Sequence, residues 1–293
     1  MNVSMEELPF LEKPVLPRLR RPVLVAAFAG WNDAAQAATF AVETLLRLLG
    51  TTKLAEVDPE EFYDFTEARP IITLTEQKRS ITWPQNRFFA HRLPAAERDL
   101  VLFLGVEPQL RWRTYCRIFT TLADELDVSQ LISLGALLAE VPHTIEPKLT
   151  GFAAGTENIP NLEILGVEMS SYEGPTGVIG ALHDAWLATG RPAVSLWGNV
   201  PHYISATPNP GVSLALLQRL AVLLGVDLPL EALQLRASAF RTQIDEALQE
   251  NPEAREYVEQ LEAGYGTEAP PPAGPELIDE LERYLRGRRP PEG

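Results

Sequence analysis

Residues 21–50, RPVLVAAFAGWNDAAQAATFAVETLLRLLG, constrain the fold more than any other stretch. Pro22 to Phe28 is an unbroken apolar run of strand length. It shows no polar alternation, so a strand there must be covered on both faces, as in a parallel sheet with helices above and below. Gly30 permits a sharp exit from the strand. Asn32 and Asp33 carry short side-chain oxygens that suit a helix start, where they accept unpaired N–H groups of the first turn. From Ala34 the chain is rich in Ala and Leu to Leu49, and Gly50 supplies the stop. Gln36, Thr39, Glu43 and Arg47 form one narrow polar stripe, so almost all the rest of this helix is expected to be covered. The tip Trp31-Asn32-Asp33 falls at the carboxyl end of the strand, where ligands sit in open α/β sheets.

The same alternation continues along the chain. Thr52 to Val57 reads as a second strand. Pro70 to Leu74, Ser80 to Trp83 and Asn86 to Leu93 are short β-prone pieces whose spacing predicts hairpins at one edge of the sheet. Leu100 to Leu104 is another fully apolar strand, with Gly105 ending it. Trp112 to Leu126 has the period of an amphipathic helix, and Leu131 to Leu138 is a third buried strand. Leu149 to Ala154 and Leu162 to Val167 read as strands or strand-like connections. Gly174-Pro175-Thr176-Gly177 opens a helix to about Ala188, Ala193 to Trp197 is a last buried strand, and Gly211 to Leu224 is a nearly all-apolar helix that must be buried. Buried strands alternating with helices over residues 22–225 mark the α/β class. Beyond Gly225 the chain turns polar. Leu228 to Glu250 and Pro252 to Ala263 read as helices, a proline-rich linker lies near 270–275, and Glu276 to Arg286 is a final short helix. The organisation is an arm over 1–21, an α/β core over 22–226 and a helical extension over 227–293.

With 293 residues the chain is long enough to bury a large core. A formal net charge of −15 argues against nucleic acid and anionic membrane surfaces as partners. No apolar run reaches the ~20 residues that a membrane-spanning helix needs. Arg18, Arg20 and Arg21 before an apolar run ending Ala27-Phe28-Ala29 imitate a signal peptide. Glu6, Glu7 and Glu12 upstream and the shortness of the run favour a core strand instead. The single cysteine, Cys116, allows no intrachain disulfide and reads as a buried structural thiol, which fits the cytoplasm.

Four stretches, taken in order, resemble the family named after the second proteasome-assembling chaperone, and its bacterial members in particular. They are Ala27 to Asp33; Leu134-Gly135 through Val141-Pro142-His143-Thr144; Tyr172 to Gly177; and Val200-Pro201-His202-Tyr203 through Thr207-Pro208-Asn209-Pro210. The tail from Pro275 to Arg286 resembles larger bacterial members. The resemblance implies a three-layer α/β/α sandwich with a mostly parallel central sheet, similar in broad shape to nucleoside phosphorylases and peptidyl-tRNA hydrolases. It also implies homo-oligomers, and for eukaryotic relatives the chaperoning of proteasome subunits.

Polar residues collect at the expected strand ends: Asn32, Asp33, His143, Glu173, His202 and Asn209. If their loops share one edge of the sheet they line a single cleft, with a histidine and a carboxylate placed for acid–base work. Taken separately, Asn32 and Asp33 are helix caps, His143 and His202 bind loop carbonyls, and Asn209 is a turn former between prolines. The separate reading is favoured. Glu140, His143 and Glu146 have a spacing that suggests metal, but Pro142 and Pro147 oppose a helix that would put them on one face, and no metal or cofactor is expected. Gly174, Gly177 and Gly180 at a helix start suit close packing better than anion binding, since Glu173 would repel an anion. Ser195 lacks a nucleophile elbow and reads as a strand residue. Trp83, Trp112, Trp186 and Trp197 fit core or interface positions. Two functions follow. The favoured one is a non-enzymatic interaction protein that self-associates and contacts protein partners through its C-terminal helices. The other is an enzyme or binder of a small metabolite at the strand-end loops.

Overall fold

A computed structural model describes residues 10–13, 15–75, 78–94, 96–155, 162–204 and 206–265. Most of the expected arm up to residue 9, the linker near 270–275 and the helix Glu276 to Arg286 lie outside the described residues.

The apolar run of the opening stretch becomes β2 (Val23–Ala29), wholly covered from Val23 to Phe28. It pairs in parallel with β7 (Leu100–Val106) on one side and β8 (Gln130–Ala139) on the other. β11 (Ala193–Pro201) continues the parallel set beside β8. Around this middle lie β1 (Leu11–Glu12), β3 (Thr52–Val57), β6 (Arg87–His91), β9 (Leu149–Ala154) and β10 (Val167–Met169). The spatial order is β1-β3-β6-β7-β2-β8-β11-β9-β10. The sheet is therefore mixed rather than mostly parallel: β1/β3, β3/β6, β6/β7 and β9/β11 run antiparallel. The reason lies in the connections. A parallel neighbour needs a crossover long enough to hold a helix. α2 (Trp112–Leu126) supplies one between β7 and β8, whereas the short link from β6 to β7 turns the chain straight back.

Strand alternation splits the interior into two cores. Val23, Val25 and Ala27 pack with α1 (Ala37–Leu48) and α4 (Pro210–Leu224) on one face of the sheet. Leu24, Ala26 and Phe28 pack with α2 and α3 (Val178–Leu187) on the other. Cys116 is buried in this second core, and burial pushes its thiol up to about 12. Of the polar stripe on α1, Gln36, Glu43 and Arg47 are exposed but Thr39 is buried, because its hydroxyl binds Asp33. Gly105 does not end its strand. It sits inside β7, where a Cβ would come within 2.4 Å of Asn86 Oδ1.

The β-prone region after β3 divides in two. β6 is an internal strand between β3 and β7. β4 (Ile71–Thr75) and β5 (Lys78–Thr82) form a separate two-stranded ribbon, exposed on both sides. The extension begins with α5 (Glu231–Gln249), whose Leu233 joins the first core. α6 (Pro252–Gly264) buries Ala254, Tyr257, Val258 and Leu261 against Tyr203 and Ile204, with Glu253, Glu256, Glu259 and Glu262 facing outward. Among the described residues no helix is long and apolar enough to cross a membrane.

Candidate functional site

The carboxyl ends of β2 and β8 meet the middle of β11 and the loop before α3 around a cavity of about 960 Å³. Asn32 is its best-placed polar residue, 1% exposed at the corner after β2. Its backbone carbonyl accepts the Ala136 N–H (2.9 Å), which fastens the corner to β8. Its side-chain Nδ2 donates to Glu107 Oε1 (2.8 Å), and its Oδ1 has no hydrogen-bond partner among the described residues. Glu107 follows β7 and organises the corner. The same Oε1 accepts the Val178 N–H at the start of α3 (2.8 Å), and Oε2 accepts the Trp31 N–H (3.2 Å). A carboxylate thus already occupies the N-terminus of α3, which removes it as a seat for another anion. Gly177 makes this approach possible, since a Cβ there would meet Asn32 Oδ1 at 2.5 Å. Of the three glycines expected to allow close helix–sheet packing, Gly177 packs against the Asn32 corner, while Gly174 and Gly180 lie against Tyr172 and Thr176 of the loop before α3.

On the floor, Trp197 of β11 lies across Gly135 of β8, where a Cβ would touch the indole at 2.6 Å. His183 of α3 reaches down to Ser133 of β8, its Nε2 lying 2.8 Å from the Ser133 hydroxyl. Burial pushes the imidazole down to about 4, so it is neutral near pH 7. Its Nδ1 is buried without a partner among the described residues. The rim is apolar: Trp31 (66% exposed), Leu137, Leu138, Phe152 and Tyr172 all stand in solvent around the same opening.

The other sequence-derived candidates go elsewhere. Asp33 turns under α1, where Oδ1 accepts the Ala38 N–H (2.7 Å) and the Thr39 N–H, and Oδ2 accepts the Thr39 hydroxyl. Burial, partly offset by these bonds, raises its carboxyl to about 6. His143 is clamped by Tyr203, whose hydroxyl accepts the His143 backbone N–H (2.8 Å) and donates to Nδ1 (2.7 Å). Nε2 is left to donate to Asp245 of α5 (3.0 Å). His202 donates from Nδ1 to the Ala139 carbonyl (3.2 Å) and accepts the Tyr257 hydroxyl of α6 at Nε2 (3.1 Å). Both histidines thus tie the C-terminal helices to the β8 and β11 loops. Asn209 caps α4, its Oδ1 accepting the Val212 N–H (3.1 Å). His143 and Asn209 line a smaller cavity of about 470 Å³ beside α4 and α5. Glu173 is exposed in the loop before α3. The six residues do not converge: Asn32 alone of them lines the larger cavity. Glu140, His143 and Glu146 share no centre either, since the His143 ring is taken and Glu146 pairs with Arg219 (3.1 Å).

Sequence reasoning missed three residues around the cavity. Glu107 was open to the strand-end rule, because it follows a parallel strand adjacent to β2. His183 and Trp197 gave no such signal, lying mid-helix and mid-strand.

A second surface stands out. On one side of the β4–β5 ribbon, Ile72 opposes Ile81 with Leu74 beside them, all exposed. On the other side the Thr73 and Ser80 hydroxyls meet at 2.8 Å.

The model of the PAC2 family matches residues 27–248. The chain belongs to the PAC2 family. Among solved structures, this PAC2 protein is 42% identical to a PAC2 family protein of Streptomyces avermitilis, covering 77% of this chain and 95% of that one at a TM-score of 0.69. It is 40% identical to a proteasome-assembly chaperone homologue of Mycobacterium tuberculosis, covering 80% and 99% at a TM-score of 0.73. A protein of unknown function from Corynebacterium glutamicum is 25% identical over 94% of this chain and 99% of its own, at a TM-score of 0.79. No curated protein matches the sequence.

Proposed function

We propose that this PAC2 protein is a protein-interaction protein of the assembly-chaperone kind, working as a homo-oligomer that holds partner proteins. The observation that carries the reading is the β4–β5 ribbon. A lone two-stranded ribbon is marginal in water, and this one presents Ile72, Leu74 and Ile81 to solvent on one side. Such an element gains its stability when another polypeptide covers that side, and exposed apolar groups of this kind mark contact sites. The description of the Mycobacterium tuberculosis relative as a proteasome-assembly chaperone homologue supports the same class of role. We read residues 22–226 as the core, with helices in a layer on each side of the sheet. Residues 227–293 are then the partner-facing extension, its exposed glutamates on α6 suiting basic surfaces. The setting is the cytoplasm.

The test is site-specific photo-crosslinking in cells. A benzophenone amino acid at Leu74, 73% exposed, is compared with one at Ile164, 82% exposed and outside both the ribbon and the C-terminal extension. The reading expects covalent adducts at Leu74 to a second copy or another protein, in severalfold higher yield than at Ile164. Equal yields would remove the ribbon as a contact element.

A further inference from the structure

We infer that the cavity between the carboxyl ends of β2 and β8 and the middle of β11 binds an uncharged, planar aromatic molecule with a hydrogen-bonding edge. The inference does not rest on the contact role of the ribbon, which lies elsewhere in the fold.

Three observations carry it. The first is the absence of charge. Among the described residues lining the cavity none is Asp, Glu, Lys or Arg, and burial keeps its histidine neutral. A charged ligand would lose its hydration without a counter-charge. Glu107, behind Asn32, already accepts three N–H groups and would repel an anion. The second is the aromatic frame. The Trp197 indole is pinned against the Gly135 backbone, and Trp31, Phe152 and Tyr172 stand around the opening. Flat rings suit such walls through offset or edge-to-face contacts. The third is unspent hydrogen bonding. Asn32 and His183, 1% and 7% exposed, both line the cavity, and each keeps one buried atom, Oδ1 and Nδ1, without a partner. A neighbouring hydroxyl, that of Ser195, lines the same floor. Burying a polar atom unpaired is costly, so a ligand that pairs with it binds more tightly for that reason. Asn32 Oδ1 calls for a donor, so the fitting edge carries an N–H, as an aromatic carboxamide does. The volume of about 960 Å³ lies in the range of pockets that enclose small ligands.

The test uses the full chain at pH 7 and four probes of similar size: benzamide, benzoate, benzamidine and the non-planar cyclohexanecarboxamide. Binding is read by saturation-transfer NMR and by tryptophan fluorescence. Benzamide is expected to bind saturably with a Kd of about 1 mM, reasonable for so small a molecule. The two charged probes should bind at least about tenfold more weakly, a difference of about 1.4 kcal/mol. The non-aromatic amide should also be weaker. Thr150→Trp, which adds bulk at a half-exposed lining position, should abolish benzamide binding with the fold intact by circular dichroism. Asn32→Ala should weaken it severalfold. No saturable benzamide binding, equal binding of benzoate or benzamidine, or undiminished binding to Thr150→Trp would each overturn the inference.

Discussion

At the scale of single residues, Glu107 and Asp33 are the two carboxylates on which the β2 corner depends, and they act differently. Glu107 accepts N–H groups from Trp31, Asn32 and Val178, joining the ends of β2 and β7 to the start of α3. Glu107→Ala strands the buried Asn32 amide and the Val178 N–H, at about 1–3 kcal/mol for each unpaired group. A fall of that order in unfolding free energy is expected, with Glu107→Gln recovering part of it by keeping one acceptor. Chemical denaturation measures both, and equal losses would show that accepting these bonds is not what the side chain contributes. Asp33 titrates in opposition to His183. Its carboxyl is raised in the folded state, to about 6, so its contribution to stability is full at low pH and is lost as pH rises through about 6. His183 is lowered to about 4, so its contribution is full above the ordinary imidazole range and is lost as pH falls toward about 4. Between about pH 4 and 6 the two slopes oppose each other. Asp33→Asn removes one of them. The variant should gain about 3 kcal/mol relative to the unsubstituted chain from pH 4 to pH 7, since each tenfold change in proton affinity on folding is worth about 1.36 kcal/mol. Parallel pH curves for the two proteins would refute this.

At the scale of elements, the C-terminal helices are fastened by polar joints as well as by apolar contact. Tyr203 clamps His143, His143 binds Asp245 of α5, and His202 binds Tyr257 of α6. Tyr203→Phe deletes the hydroxyl that both accepts and donates at His143. Amide exchange in residues 231–264 should then accelerate about tenfold or more, while β2 and β8 keep their protection, because local opening draws on local contacts. Uniform acceleration would mean that the joint stabilises the whole chain instead. The strands of the core were legible because Val23 to Phe28 and Leu100 to Leu104 are apolar without alternation, a pattern that burial on both faces explains, whereas Leu131 to Leu138 carries Ser133 and ends in Leu137 and Leu138, exposed on the cavity rim. The place of β6 was not legible, because strand order is decided by long-range pairing that local sequence does not encode. The site was legible in its location but not its membership. The strand-end rule found the Trp31-Asn32 corner. His143 and His202 also lie at strand ends, yet their rings turn toward α5 and α6. His183, Ser195 and Trp197 converge on the cavity only because β8 and β11 are neighbours with Ser133 opposite Ser195.

At the scale of the whole molecule, two apolar surfaces stand open among the described residues: the rim around the strand-end cavity and the β4–β5 ribbon. The rim frames a pocket with polar atoms at its floor, which suits a small ligand. On the ribbon, Ile71 and Thr82 line a cavity of about 610 Å³ against β6 and β7, while Ile72, Leu74 and Ile81 face solvent on the other side, which suits another chain. A net charge of −15 opposes close self-association at low ionic strength, so an oligomer held by the ribbon must draw on apolar contact and should tighten as salt screens the charge. The measurement that bears most directly on this account is the molar mass in solution, by light scattering at moderate salt, of the full chain and of its Ile72→Glu/Leu74→Glu variant. The account predicts a whole-number multiple of the chain mass for the first and a folded monomer for the second. A monomeric native chain, or a variant that keeps the native multiple, would contradict it.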